Sequence, residues 1–136
     1  ALGWAVPVMA SNPLSISNWR DNYVFEKSPI TKINPENYSK QYIEDLIRLK
    51  SAEVGINGDL MVSIAKCESN LTQKWNYAHE TNPDYYTAYG VFQIIKTHQD
   101  KYGINRMTLD GNINLALELY KKNGTKDWEL SRSCWK

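Results

Sequence analysis

The chain of 136 residues is patterned as a mainly α-helical domain with at most a small β element. Three observations lead there. Apolar residues recur three and four positions apart in several separate stretches. Capping and stop residues bracket those stretches. No internal repeat appears, nor the alternation that a parallel sheet would carry. A chain of this length is enough for one core, so a single compact body is expected over 35–136, preceded by an extended arm over 1–34.

The arm is read from Pro7, Pro13 and Pro29 spaced among Ser and Asn, with no sustained period. Its apolar pieces, Trp19 and Tyr23-Val24-Phe25, are suited to dock on the body. Residues 1–10 are mildly apolar and end in Val8-Met9-Ala10, with small residues at the spacing of a signal-peptidase site, readable as the tail of an export signal. Any short run of Ala and Val imitates that pattern. Asn34-Pro35 offers an N-cap followed by proline at the first helical position, and Tyr38, Tyr42, Leu46 and Leu49 continue at helical spacing until Gly55. A second helix begins near Asp59. Leu60, Ile64 and Glu68 fall four apart on it, beside Met61 and Ala65, so its apolar face runs until Glu68 interrupts it. From Leu71 to Ala88 the chain has Tyr residues and an Asn-Pro step but no apolar period, which predicts a long loop with room for a short strand pair. The run Tyr89-Gly90-Val91-Phe92-Gln93-Ile94-Ile95 follows, then a short helix through His98 and Tyr102 to Gly103. The last clear helix is expected over 112–123, with Ile113, Ala116, Leu117 and Tyr120 as its stripe and Gly124 as its stop. A final turn covers Trp128 to Trp135.

Composition excludes more than it selects. Sixteen basic against fifteen acidic residues leave a net charge of +1, with no run of like charges to suggest a nucleic-acid arm or a polybasic membrane patch. No apolar stretch reaches the length of a membrane span. His79 and His98 have no second ligand at metal spacing, and neither a phosphate-cradling Gly-rich loop nor a nucleophile elbow is present, so no metal and no cofactor is expected. The five Trp and nine Tyr are flat amphipathic rings, useful for gripping a polar polymer and equally at home in a core. The two cysteines, Cys67 and Cys134, are too few for a thiolate zinc cluster. Their even number favours one disulfide in an oxidising compartment; two buried reduced thiols are the alternative.

Glu68 is the residue that elementary chemistry singles out. A carboxylate on the apolar face of a helix is costly to keep ionised, so burial raises its pKa and holds its proton near neutral pH. A desolvated Glu of that kind is the usual acid for protonating a glycosidic oxygen. The competing reading is a solvated carboxylate at a frayed helix end.

Glu68-Ser69 at the end of an apolar helix, the run from Tyr89 to Ile94 with Gly90 twenty-two positions beyond the Glu, and Asn112-Ile113 heading a helix stand in this order in the sequence. Together they resemble the successive motifs of soluble lytic transglycosylases and goose-type lysozymes, over roughly Pro35 to Gly124. The resemblance implies a lysozyme-like α+β domain with a substrate cleft. It implies that Glu68 protonates the leaving oxygen between N-acetylmuramic acid and N-acetylglucosamine and then acts as base. Ser69 would help hold the muramic acid side. Gly90 would let the backbone pass close to a sugar, and Gln93 would offer its amide to the glycan or to the loop beneath it. Tyr89, Asn112 and Tyr120 would join the binding surface, with Tyr120 or Trp128 lining the cleft. For Gly90 and Gln93 the plainer readings are a turn glycine and a polar residue at a helix start.

The transglycosylase mechanism that the resemblance implies needs one acid, because the substrate's acetamido oxygen stabilises the cation and the muramic 6-hydroxyl closes a 1,6-anhydro ring. An inverting hydrolase would need a second carboxylate to activate water. Asp84, six positions before Gly90, resembles in place an acid of goose-type lysozymes, although an Asn-Pro-Asp turn explains it as well. Ile95 stands where those lysozymes often have another Asp, which tilts the expectation toward transglycosylation. The C-terminal segment also departs: in place of an Ala-Tyr-Asn-Ala-Gly-like stretch whose Tyr faces the catalytic Glu, this chain has Asp127 to Trp135. A Cys67–Cys134 bridge would pin that divergent turn against the helix bearing Glu68. The expectation is therefore a monomeric, extracytoplasmic enzyme, secreted, periplasmic or cell-wall associated, whose partner is the peptidoglycan glycan strand. A lysozyme-type muramidase and a non-catalytic glycan-binding domain are the alternatives.

Overall fold

A computed structural model describes residues 37–76 and 87–136. Within them lie five α-helices and one 3-10 helix: α1 over Lys40–Glu53, α2 over Gly58–Ser69, α3 over Lys96–Tyr102, α4 over Leu109–Asn123, the 3-10 helix over Lys126–Ser131, and α5 over Arg132–Trp135. Extended pairing is confined, among the described residues, to isolated antiparallel bridges of Trp75 with Tyr89 and of Tyr89 with Ile94. The mainly helical architecture expected from the periodicity is therefore present. The arm over 1–34, Asn34-Pro35, His79 and Asp84 lie outside the described residues.

Two helix starts differ from those the sequence suggests, and side-chain capping explains both. Asn37, Tyr38 and Ser39 are not helical. The first turn of α1 is closed by Ser39, whose hydroxyl accepts from the Tyr42 backbone N–H. Helix α4 begins at Leu109 rather than Asn112, because the Thr108 hydroxyl accepts from the Gly111 N–H. Gly111 is required there by space: a Cβ on it would fall 1.7 Å from the Asn105 carbonyl oxygen. Helix α2 starts where expected, capped by the Asn57 side chain on Leu60 N–H. Gly103 ends α3 in the left-handed conformation that glycine adopts at least cost.

Helix α4 has the widest buried face of the helices. Leu109, Ile113, Leu115, Ala116, Leu117 and Leu119 are all buried, a wider face than a single stripe, since neighbours pack on it from several directions. Helix α1 supplies Tyr42, Ile43, Leu46 and Ile47, whereas Leu49 is only half-buried. Its buried Lys50 reaches α4, donating to Asn114 Oδ1 at 3.1 Å and lying 3.8 Å from Asp110. Helix α2 packs most extensively on α1 and sets Met61, Val62, Ile64 and Ala65 into the core. Val91, Phe92 and Trp128 complete it, with the Phe92 and Trp128 rings 5.9 Å apart. Each such side chain contributes on the order of 1.5–3 kcal/mol by leaving water.

The chain's end returns to α2. Helix α5 and the 3-10 helix both pack on α2, and Cys134 is disulfide-bonded to Cys67, with Cα atoms 5.9 Å apart. The bridge that the even cysteine count favoured is formed. Among the described residues no helix is long and apolar enough to cross a membrane.

Candidate active site around Glu68

Glu68 occupies the last turn of α2, one residue before the helix ends at Ser69. It lies four positions after Ile64, on the face that carries the core residues, so the C-terminal segment that covers this face also covers the carboxyl group. The side chain is half-buried, and burial pushes its pKa above the ordinary carboxylate range. A hydrogen bond from Ser131 works in the opposite direction by favouring the ionised form, and burial is the larger effect. The Ser131 hydroxyl lies 2.5 Å from Glu68 Oε2. It also lies 3.1 Å from the Trp128 carbonyl and receives the Trp135 indole N–H at 3.1 Å. Ser131 thus meets the carboxyl from the segment where the transglycosylase resemblance places a tyrosine. Sequence reasoning missed it, although the bridge from Cys67 to Cys134 brings the turn three residues before Cys134 onto Glu68.

After Glu68 the backbone turns sharply. Asn70 and Leu71 both have left-handed φ, 56° and 57°, and burial of Leu71 helps offset that strain. Gln93 is the third non-glycine residue with positive φ among those described, at 50°. Asn70 and Leu71 directly follow the Glu68-Ser69 pair, and Gln93 lies within the run from Tyr89 to Ile94.

The loop from Thr87 to Ile94 is held by side chains that bond its backbone. Asn112, fully buried, accepts from Phe92 N–H at 2.8 Å and donates to the Tyr89 and Arg106 carbonyls at 2.9 Å each. Ser69 donates to the Val91 carbonyl at 2.8 Å, and Gln73 accepts from Val91 N–H at 2.7 Å. The Arg106 guanidinium donates to the carbonyls of Thr87 and Ile94 at 2.6 and 2.7 Å and lies over the Trp75 ring. Trp128 donates through its indole nitrogen to the Phe92 carbonyl at 3.0 Å. Gln93 donates to the Lys74 and Gly90 carbonyls at 2.9 Å each. Together these bonds satisfy backbone groups that have no sheet or helix to pair with.

Several residues expected to face a glycan have their polar groups bonded within the protein. Ser69 and Asn112 are buried and spend their polar groups on the protein, which makes them supports of the loop. Trp128 is buried in the core and also lines the hollow beside Gln93 and His98. Gly90 has φ of +92°, and a Cβ there would fall 2.1 Å from Asn112 Nδ2, so the close approach it permits is to Asn112. The Gln93 amide serves the loop beneath it, the second of its two expected roles, and its side chain borders a hollow of about 230 Å³ shared with His98 and Asp127. Tyr89 pairs through its backbone with Ile94 and meets Trp75 edge-on, ring centroids 4.7 Å apart. Tyr120 is half-buried against the core from α4. His98 lies 3.4 Å from Asp127. Among the described residues no three His, Cys, Asp or Glu side chains gather in a way that could hold a metal.

The fold is thus a mainly helical domain in which one half-buried glutamate, a disulfide-tethered cover and a side-chain-clamped loop converge on the end of α2. Comparison with family profiles, curated proteins and solved structures yields no match to this chain.

Proposed function

We propose that the chain is a peptidoglycan lytic transglycosylase that cleaves the bond between N-acetylmuramic acid and N-acetylglucosamine, with Glu68 as general acid and then base. The observation that carries this reading is the state of Glu68: half-buried, with its pKa raised by burial, at the end of a helix whose following residues are turned sharply aside. A carboxyl group that burial makes hold its proton to higher pH than an exposed one is better matched to delivering it to a glycosidic oxygen. The order of Glu68-Ser69, the run from Tyr89 to Ile94 and Asn112-Ile113, which resembles that of lytic transglycosylases, selects the substrate class.

In this mechanism Glu68 gives its proton to the leaving oxygen as the glycosidic bond breaks. The substrate's acetamido oxygen steadies the cation. Glu68 then takes the proton of the muramic 6-hydroxyl as that oxygen bonds to the anomeric carbon and closes the 1,6-anhydro ring. The clamped loop supplies a rigid wall, since Asn112, Arg106, Gln73 and Ser69 hold its backbone before any substrate arrives. The disulfide fits the extracytoplasmic compartment in which such a substrate is found.

The test is mass spectrometry of muropeptides released from purified sacculi. Wild-type protein is expected to produce 1,6-anhydro ends, and Glu68→Gln to lose roughly 10²-fold or more of the rate. Reducing ends would instead assign a muramidase. Binding to sacculi with no release by either protein would assign a glycan-binding domain and overturn the catalytic reading.

A further inference from the structure

We infer that Ser131 is the positioning residue for Glu68, a hydroxyl that reverses its hydrogen bond to the carboxyl as Glu68 gives up and regains its proton. This rests on the reading of Glu68 as an acid that becomes a base within one turnover.

The argument is a count of donors and acceptors. Three partners surround Ser131 Oγ: Glu68 Oε2 at 2.5 Å, the Trp128 carbonyl oxygen at 3.1 Å and the Trp135 indole nitrogen at 3.1 Å. The hydroxyl has one hydrogen and two acceptor lobes. Indole N–H can only donate, and Trp135 Nε1, 3.1 Å from Ser131 Oγ and 3.2 Å from the Trp128 carbonyl, shares its hydrogen between one lobe of the hydroxyl and that carbonyl, so the carbonyl keeps a partner when the Ser131 hydrogen points at Glu68. The Trp128 carbonyl can only accept. When Glu68 is ionised, the hydroxyl hydrogen points at Oε2, in a short charge-assisted bond. When Glu68 is protonated, its own O–H donates to the remaining lobe of Ser131, and the hydroxyl hydrogen rotates to the Trp128 carbonyl. Every group in the cluster has a partner in both states, with no heavy atom required to move. The Ser131 hydrogen only rotates: as the Glu68 proton leaves its bond to Ser131 for the glycosidic oxygen, the hydroxyl hydrogen turns back to Oε2, and the proton that returns to Glu68 comes from the muramic 6-hydroxyl.

The surroundings leave this task to Ser131. Lys66, on the same helix as Glu68, faces Glu44 of α1 at 3.7 Å, and Arg132 of α5 is paired with Glu129 of the 3-10 helix at 3.0 Å. Lys136 is exposed at the end of the chain. Burial and the Ser131 hydroxyl are the influences that act on the carboxyl, in opposite directions. The position of the hydroxyl is secured by Trp135, half-buried against the core, and by the disulfide joining Cys134 to the residue before Glu68.

The experiment compares wild-type protein, Ser131→Ala, Ser131→Thr and Trp135→Phe, all with the disulfide intact. It follows the Glu68 carboxyl by carbon NMR against pH, and the pH profile of muropeptide release alongside. Ser131→Ala is expected to raise the Glu68 titration midpoint by about one pKa unit, the size of one hydrogen bond to a charged group, and to move the descending limb of the rate profile the same way. Ser131→Thr, which keeps the hydroxyl, should titrate as wild type. Trp135→Phe, which removes one donor to Oγ, should shift the midpoint upward by less. If Ser131→Ala fails to fold, the Trp135→Phe and Ser131→Thr pair decides, and two titrations identical to wild type overturn the inference. Muropeptide release with superimposed titrations of Ser131→Ala and wild type sinks the Ser131 role alone. A clear titration shift in protein that releases nothing upholds the role of Ser131 at the Glu68 carboxyl and sinks the transglycosylase reading alone.

Discussion

Glu68 sits where an apolar stripe and a covering segment meet, and its energetics show it. The unfolded chain ionises this carboxyl in the ordinary range, while the folded protein holds the proton to higher pH. Folding therefore takes up a proton between those two pKa values. The stability associated with Glu68 is full below the unfolded pKa and is lost as pH rises through the folded one. Glu68→Gln removes this dependence, so thermal melts across pH should show the variant gaining on wild type as the solution becomes less acidic. A wild-type and variant pair with parallel curves would mean that the carboxyl is solvated. Asn112 carries a different burden. Asn112→Ala would strip partners from the buried Phe92 N–H and from two carbonyls, and should cost roughly 2–4 kcal/mol in denaturant unfolding.

Helix boundaries follow local capping, and the caps are legible only when weighed against their rivals. Asn34-Pro35 is a sound helix-start signal by composition, yet Ser39 closes the first turn of α1, and Thr108 closes that of α4 four residues before the suggested Asn112. The shift moves Asn112 from the head of the helix into its first turn, where its side chain reaches back to the loop. Thr108→Ala is expected to cost about 1 kcal/mol, measured by chemical unfolding. The stripes of α1 and α4 were visible as periodicity. Periodicity did not show that Leu115 and Leu119 are also buried, because it marks the face toward one neighbour and α4 has several.

Over the whole molecule, the disulfide determines what stands before Glu68. Its two cysteines lie 67 positions apart, so in the unfolded chain the bridge removes the entropy of a long loop. Reduction, or the Cys67→Ser and Cys134→Ser pair, should lower stability by about 2–4 kcal/mol in denaturant unfolding. It also releases the segment bearing Ser131 and Trp135 from α2. The reduced protein is therefore expected to show a higher Glu68 titration midpoint even at temperatures where the core stays folded. An unchanged midpoint would mean that core packing of Trp128 and Trp135 holds the cover without the bridge.

Local sequence alone determined the helical architecture, the order of its motifs and the exceptional place of Glu68, because apolar spacing and a carboxylate within it are properties of neighbouring residues. Its two cysteines made one bridge the natural pairing. Tertiary structure alone decided that Ser69, Asn112 and Trp128 turn inward, that Gln73 and Arg106 join them in holding the loop, and that Ser131 meets the carboxyl. Those outcomes depend on hydrogen bonds between residues many positions apart. Short polar side chains such as Ser, Asn and Gln carry no sign in sequence of whether their partner will be a ligand or a distant stretch of backbone.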